Sequence, residues 1–380
     1  MRIGIDASNL RRGGGLTHLA ELLRAAHPQE HGFDQVIVWG GSSKLSLLEE
    51  RPWLHKRHEP MLDRTLPMRV FWQRNMLDRI AIRLGCNVLF VPGGSYAGTF
   101  RPFVTMFRNM LPFERSEARR YGVSWMLLKM ILLHQAQART FRSADGLIFL
   151  NQYAYNVVME TIKQIRSKTT IIAHGVDNRL LHEPRTQASL AKYSLQSPFC
   201  ILYVSIVDMY KHQWHVAEAV AKLREAGLPV RLDLIGPAYP PALKKLRRVI
   251  RIFDPAEVFI RYRGPVPYSE LSNCYQQADL FVFASSCENM PNILLEAMAA
   301  GLPIACSNRG PMPEVLGNSG LYFNPEKPLE IADAIRTLLV NPVLREQKAW
   351  AAYERATSFS WERCARQTFD FIAHVVKDID

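Results

Sequence analysis

Short, densely apolar runs alternate along this chain with longer stretches of helical period. Residues 2–6, 35–39, 87–91, 103–107, 146–150 and 169–173 are rich in valine, isoleucine, leucine and phenylalanine, and read as strands buried on both faces. Apolar positions three and four apart follow several of them, over 16–26 and 117–142, and predict helices. A polar break over 174–198, holding Gly175, Pro184 and Pro198, interrupts the rhythm. It restarts with strand-like runs at 200–204, 230–235, 258–260, 280–283 and 303–306, and with helical stretches at 213–226, 240–253 and 291–300. Strand–helix alternation repeated in two halves predicts an α/β protein with two doubly wound, parallel-sheet domains. Ligands of such sheets bind beyond the carboxyl ends of the strands, so a cleft between the domains is the expected site.

Composition narrows the class. The 380 residues are 48% hydrophobic and 22% charged, which suits a globular protein, and their number exceeds what one ordinary core encloses. The net charge of +12 points to an anionic partner: a phosphate-bearing small molecule, a nucleic acid or an anionic membrane surface. No nucleic-acid-binding motif or basic tail is present, so nucleic acid is not expected. Six cysteines lie scattered without ligand or Cys-x-x-Cys spacing, which favours reduced thiols over disulfides or a zinc site. The first residues enter a strand directly, with no leader-like segment, so a cytoplasmic protein is expected. The most apolar segment, 125–133, is interrupted by Lys129 and is far shorter than the ~20 residues that span a bilayer.

Two stretches carry candidate chemistry. Gly13, Gly14 and Gly15 stand between the first strand and a helix, where backbone amides can approach an anion closely, and His18 follows them. The loop is neither a dinucleotide fingerprint, because His18 occupies the place of the third glycine, nor a P-loop. It is a candidate phosphate or acceptor loop. The second stretch, SSCENMPNILLEAMAAG over 285–301, places a loop after a strand, Pro291 at a helix start and Gly301 at its end. Glu288 then precedes the helix mouth and Glu296 lies in its second turn. Were all of 288–296 helical, the two backbones would be about 12 Å apart at ~1.5 Å per residue. Glycosidase carboxylates sit roughly 5–9.5 Å apart across one bond. The spacing better suits two carboxylates holding two parts of one extended ligand, with its phosphates on the helix N-terminus between them. An apolar helix around Glu296 argues against a casual surface position.

Glu288, seven residues, Glu296, then Ala-Met-Ala-Ala-Gly-Leu-Pro and Gly310-Pro-Met-Pro-Glu314 resemble the donor signature of the family 4 retaining glycosyltransferases. The resemblance covers essentially the whole chain and is strongest over 200–325. It implies the GT-B fold, with two Rossmann-like domains facing across a cleft: an acceptor-binding domain over 1–180, rejoined by a helix at about 361–380, and a nucleotide-sugar-binding domain over 195–360. It implies that Glu288 contacts the donor sugar and Glu296 the ribose, while Asn289, Met290, Pro291, Asn292 and Ile293 meet the sugar and diphosphate. Tyr203-Val-Ser-Ile-Val-Asp-Met-Tyr-Lys-His212 resembles the loop with an arginine and a lysine for the diphosphate. Lys211 falls on the lysine. Ile206 replaces the arginine, leaving Lys211, Ser205, the helix dipole or Arg309 to offset the charge. A family histidine after the strand at 103–107 is replaced by Arg108, with Asn109 beside it, and either is a candidate for its role.

These resemblances imply a metal-independent, retaining enzyme with no cofactor. Asp378-Ile-Asp380, a chance tail match, is the one Asp-x-Asp. The substrates implied are a nucleotide diphosphate sugar, such as a mannose or rhamnose donor, and a growing glycan of O-antigen or capsule type, carried on a polyprenyl lipid. Basic and aromatic residues interleave over 68–85 and 115–142, in the domain that would meet such an acceptor, and suit peripheral contact with the inner face of the cytoplasmic membrane. Two rivals remain: a sugar-nucleotide epimerase of the same fold, and a non-catalytic glycan- or polyanion-binding protein.

Overall fold

A computed structural model describes residues 1–10 and 14–378. The chain divides into two compact units: residues 1–113, 124–175 and 359 onward form the first, and 114–123 with 176–358 form the second.

The first unit is built on seven parallel strands: β1 (Arg2–Asp6), β2 (Gln35–Gly40), β3 (Leu54–His58), β4 (Val88–Val91), β5 (Phe103–Met106), β6 (Gly146–Phe149) and β7 (Lys168–Ile171). Their order is β3-β2-β1-β4-β5-β6-β7. β4, β5 and β6 are buried at every position, whereas the edge strands β3 and β7 are mostly exposed. That is why the sequence Leu54-His-Lys-Arg-His58 does not read as a strand. Its backbone pairs with β2, but of its side chains only that of Leu54 is buried. On one face Trp39, Trp72, Leu77, Leu89 and Phe103 form a core beneath residues 66–83. The closing helix, Trp361–Lys377, packs its buried side chains against β4, β6 and the first helix, Gly14–Arg24. Gly146 permits that approach: a Cβ there would lie 2.9 Å from both Phe371 and Val375.

The second unit holds six parallel strands: β8 (Phe199–Val204), β9 (Val230–Ile235), β10 (Ile260–Gly264), β11 (Leu280–Phe283), β12 (Ile304–Ser307) and β13 (Leu321–Phe323). They are ordered β10-β9-β8-β11-β12-β13. The order reverses between β8 and β11, so the loops after these two strands meet at the switch point where open α/β sheets bind ligands. β10 lies two residues later than the apolar run at 258–260 suggests, because it is an edge strand whose outward positions are arginines.

One helix departs more. The periodic stretch over 117–142 predicts a single helix, but the chain forms a short one, Arg115–Arg119, and a separate long one, Trp125–Ser143. Gly122 breaks them at φ +63°, a left-handed conformation, and Ser124 caps the second helix by accepting from the Leu127 amide. The residues on the near side of that break belong to the second unit.

Candidate functional site

The loops that follow β8 and β11 bring together most of the residues singled out above in the second unit. Val204 and Phe283 end fully buried strands, so the chain beyond each is delivered from a fixed base. Gly236, at φ +141°, lets the end of β9 close against Ser205, whose carbonyl a Cβ would meet at 2.1 Å. From this base Lys211 reaches across to Glu288, and the ammonium and carboxylate form a direct ion pair, both side chains largely buried. The Lys211 Nζ also lies 5.2 Å from the ring centroids of Tyr210 and of Phe283. A buried cation paired with a carboxylate is well placed to exchange that partner for an anionic ligand. Tyr203 fixes the loop from below, its hydroxyl donating to the Lys211 carbonyl over 2.6 Å.

The helix after Glu288 runs Asn292–Ala299, one residue later than the sequence indicates. Pro291 is its N-cap, in an extended conformation, and its carbonyl accepts from the Leu294 and Leu295 amides. Proline has no N–H, so the first-turn donors are Asn292 and Ile293. Buried Asn289 and Met290 precede them. The Asn292 side-chain oxygen is buried with no protein donor. Glu296 is buried in the second turn, as the apolar context implies, and accepts a 2.9 Å hydrogen bond from Tyr275. Desolvation raises its pKa to about 7, with the Tyr275 hydrogen bond opposing and the Asp177 charge adding to the rise. Gly301, at φ +66°, then closes the helix where a side chain would collide with the backbone of His182 and Pro184. Ile206 is 37% exposed and Arg309 is exposed, so neither is built into the Lys211–Glu288 pair.

Sequence reasoning missed a further layer. His212 caps the helix Gln213–Glu225 at φ +53°, and its Nε2 lies 3.0 Å from the Ser286 hydroxyl. Ser286 lies 2.6 Å from a Glu117 carboxylate oxygen, and Tyr121 donates to Asp208 over 2.7 Å. Glu117 and Tyr121 belong to the stretch read as one continuous helix, and only the glycine at 122 hints at a break.

In the first unit the glycine loop takes a different form from the one expected. Gly13 lies outside the described residues, as does Asp380 of the Asp-x-Asp match. Gly14 and Gly15 already belong to the helix, and their carbonyls accept from Arg108 at 2.5 and 3.2 Å. His18 does not face an acceptor: it is fully buried one turn in, because the helix turns it toward Trp361 and His174. The Nδ1 atoms of His18 and His174 are 2.8 Å apart, so one must donate and the other accept. Burial and the Arg108 charge hold both rings well below the ordinary histidine pKa, and both are neutral. Desolvation draws Arg108 down to about 10, and it stays cationic at neutral pH. Asn109 is exposed, and its side chain accepts from the Leu111 amide. All six cysteines are unpaired. Among the described residues no cluster of histidine, cysteine and carboxylate side chains could hold a metal.

Two Rossmann-like units of parallel sheet define the GT-B fold. The same fold is found in a sucrose-phosphate synthase from Thermosynechococcus elongatus, at 16% identity over 100% of this chain and 99% of that one, with a TM-score of 0.76. It is also found in Anabaena HepE in complex with UDP-glucose, at 16% identity over 100% of both chains and a TM-score of 0.68. Residues 198–341 match the sequence model of the family described as Glycosyl transferases group 1. Curated relatives include an O-antigen chain mannosyltransferase B of Escherichia coli, 38% identical over 30% of this chain and 30% of its own. A D-inositol 3-phosphate glycosyltransferase of Nocardioides is 27% identical over 54% of this chain and 48% of its own. A glycogen synthase of Mycobacterium tuberculosis is 26% identical over 67% of this chain and 60% of its own. The chain thus spans about a third to three fifths of the length of these relatives.

Proposed function

We propose that this protein transfers a sugar from a nucleotide diphosphate donor to a glycan acceptor, with retention at the anomeric carbon and without a metal. The observation that carries the reading is the Lys211–Glu288 pair beside the open N-terminus of Asn292–Ala299, with the Glu296 carboxylate a turn beyond. In this reading the diphosphate takes Lys211 and the first-turn amides of Asn292 and Ile293. Glu288, released from Lys211, accepts from sugar hydroxyls, and Glu296 accepts from the ribose, with Ser205 and Asn289 lining the site. Bond breaking puts negative charge on the departing diphosphate, where preorganised donors act most strongly. The acceptor attacks from the same face. Arg108, with Asn109 nearby, is a candidate to orient the acceptor on the first unit.

The test is a panel of UDP-, GDP-, dTDP- and ADP-sugars, with lipid-linked and free glycan acceptors, read by nucleoside diphosphate release and product mass. Acceptor-dependent transfer that persists in EDTA is expected. Donor conversion without acceptor would instead mark an epimerase, and donor binding without turnover a silent binder. Loss of transfer in EDTA, restored by magnesium or manganese, would overturn the metal-independent mechanism.

An acceptor of O-antigen or capsule type on a polyprenyl carrier, suggested by the mannosyltransferase relative, would place the first unit at an anionic membrane. Two features support this. Leu66 and Phe71 are 47% and 54% exposed, and Trp125, Leu128 and Leu132 are 74%, 45% and 52% exposed. Exposed arginines, Arg64, Arg74, Arg139 and Arg142, accompany them. Right-handed crossovers from β3 to β4 and from β5 to β6 step in the same direction along the sheet, which puts both helical segments on one face of it. No helix among the described residues is long and apolar enough to cross a membrane, so the contact proposed is peripheral. Flotation with vesicles containing phosphatidylglycerol should carry the protein upward at low salt. Vesicles of phosphatidylcholine alone should not, and Trp125→Ser with Leu128→Ser should weaken the binding several-fold. Equal recovery with both lipid compositions, or with neither, would contradict it.

A further inference from the structure

The segment 114–123 lies, in sequence, between two elements of the first unit, yet it belongs to the second. Its contacts there converge on the loop that carries Lys211. Tyr121 donates to the Asp208 carboxylate over 2.7 Å, and the same oxygen accepts from the Met209 amide at 2.7 Å. At the other end of the loop, Glu117 is 6% exposed and accepts from the Ser286 hydroxyl at 2.6 Å. The Ser286 proton is committed to that carboxylate, so the ring nitrogen 3.0 Å from Ser286 must carry its own proton and donate. His212 is therefore fixed as the neutral Nε2–H tautomer, consistent with a pKa that burial lowers to about 3. The Ser286 amide adds a 2.8 Å bond to the Tyr210 carbonyl. Arg120 anchors the segment itself, bonding Glu117 at 2.7 Å and Glu326 at 2.6 Å.

The loop is thus held three residues before Lys211 and again immediately after it, each time by a side chain of this one segment or through a single hydroxyl. His212 needs such support, since it occupies a left-handed conformation that a side chain rarely adopts. We infer that Glu117 and Tyr121 are positioning residues that set where the Lys211 ammonium stands, through Ser286–His212 and through Asp208. The inference rests on the reading of Lys211 as a diphosphate ligand. Neither residue touches the ligand in this account.

The experiment uses the full chain and compares Tyr121→Phe, Ser286→Ala, Ser286→Thr and Glu117→Gln by calorimetry. The probes are UDP, GDP, dTDP and ADP, each beside its parent nucleoside. Tyr121→Phe and Ser286→Ala each remove one oxygen and are expected to lower diphosphate affinity about tenfold, leaving nucleoside affinity unchanged. Ser286→Thr keeps the hydroxyl and should restore it, and Glu117→Gln, which keeps an acceptor but not the charge, should fall between. Equal losses for nucleoside and diphosphate would mark a general structural role and overturn the inference, as would unchanged affinity for both. Should Ser286→Ala fail to fold, the Tyr121→Phe comparison decides alone. A wild-type protein that binds none of the diphosphates refutes the donor reading itself, an outcome seen before any variant is made.

Discussion

Replacing Lys211 by alanine is expected to lower kcat on the order of 10²–10³-fold while raising KM much less, since charge on the diphosphate is larger in the transition state than in the bound donor. The effect should sit at the upper end of that range because Ile206 stands where the resemblance to family 4 glycosyltransferases implies a second cation, which leaves more of the charge to Lys211. The substitution also strands Glu288, whose side chain is only 15% exposed, so stability must be measured alongside. Removing one partner of a buried pair typically costs about 3–5 kcal/mol. Lys211→Ala with Glu288→Gln separates the two effects: the double variant should recover stability and not kcat. Ile206 stands exposed beside the site, and Ile206→Arg in the Lys211→Ala background should return part of the lost rate. Near-normal kcat in a folded Lys211→Ala protein would place the diphosphate elsewhere.

Glu296 should make nucleotide binding pH-dependent across neutrality. Its carboxyl titrates at about 7 because burial outweighs the Tyr275 hydrogen bond, and the ionised form accepts far more strongly from the two ribose hydroxyls. Affinity should therefore rise about tenfold between pH 6 and pH 8. Glu296→Gln should bind roughly 10- to 100-fold more weakly at pH 8, the loss of a charge-assisted hydrogen bond worth about 1.5–3 kcal/mol, and should show no rise. Using a nucleoside as ligand removes the titration of the phosphate from the comparison. Stability runs the other way. The folded value lies above the ordinary 4.5, so this group stabilises the free protein fully below 4.5 and ceases to do so as pH rises through about 7. A pH-independent affinity in the wild type would remove Glu296 from the ribose.

The buried strands were legible in the sequence because a strand covered on both faces is a continuous apolar run, as at β8 and β11. Edge strands were less so: Leu54–His58 buries only Leu54, and Leu321–Phe323 is three residues long, too short for its apolar run to stand out. The two glutamates could be read from the helix punctuation around them, and Glu296 is buried as its apolar neighbours imply. Pro291 shifted by one position, since a capping residue and a first helical residue look alike until the dihedral angles are known. His18 misled because three glycines suggest an open loop, whereas the helix begins at Gly14 and turns the imidazole inward. What no local pattern carried is the reach of Tyr121 to Asp208, 87 residues later, and of Glu117 to Ser286, 169 residues later. The periodicity over 117–142 describes the long helix, not the short stretch ahead of Gly122 that leaves it.

The most direct test of the account is a crystal structure of the protein with the nucleoside diphosphate it binds best. The phosphates are expected against Lys211 and the amides of Asn292 and Ile293, with Glu288 released from Lys211 and Glu296 on the ribose hydroxyls. A nucleotide bound away from the loops after β8 and β11, or the Lys211–Glu288 pair intact beside it, would contradict it.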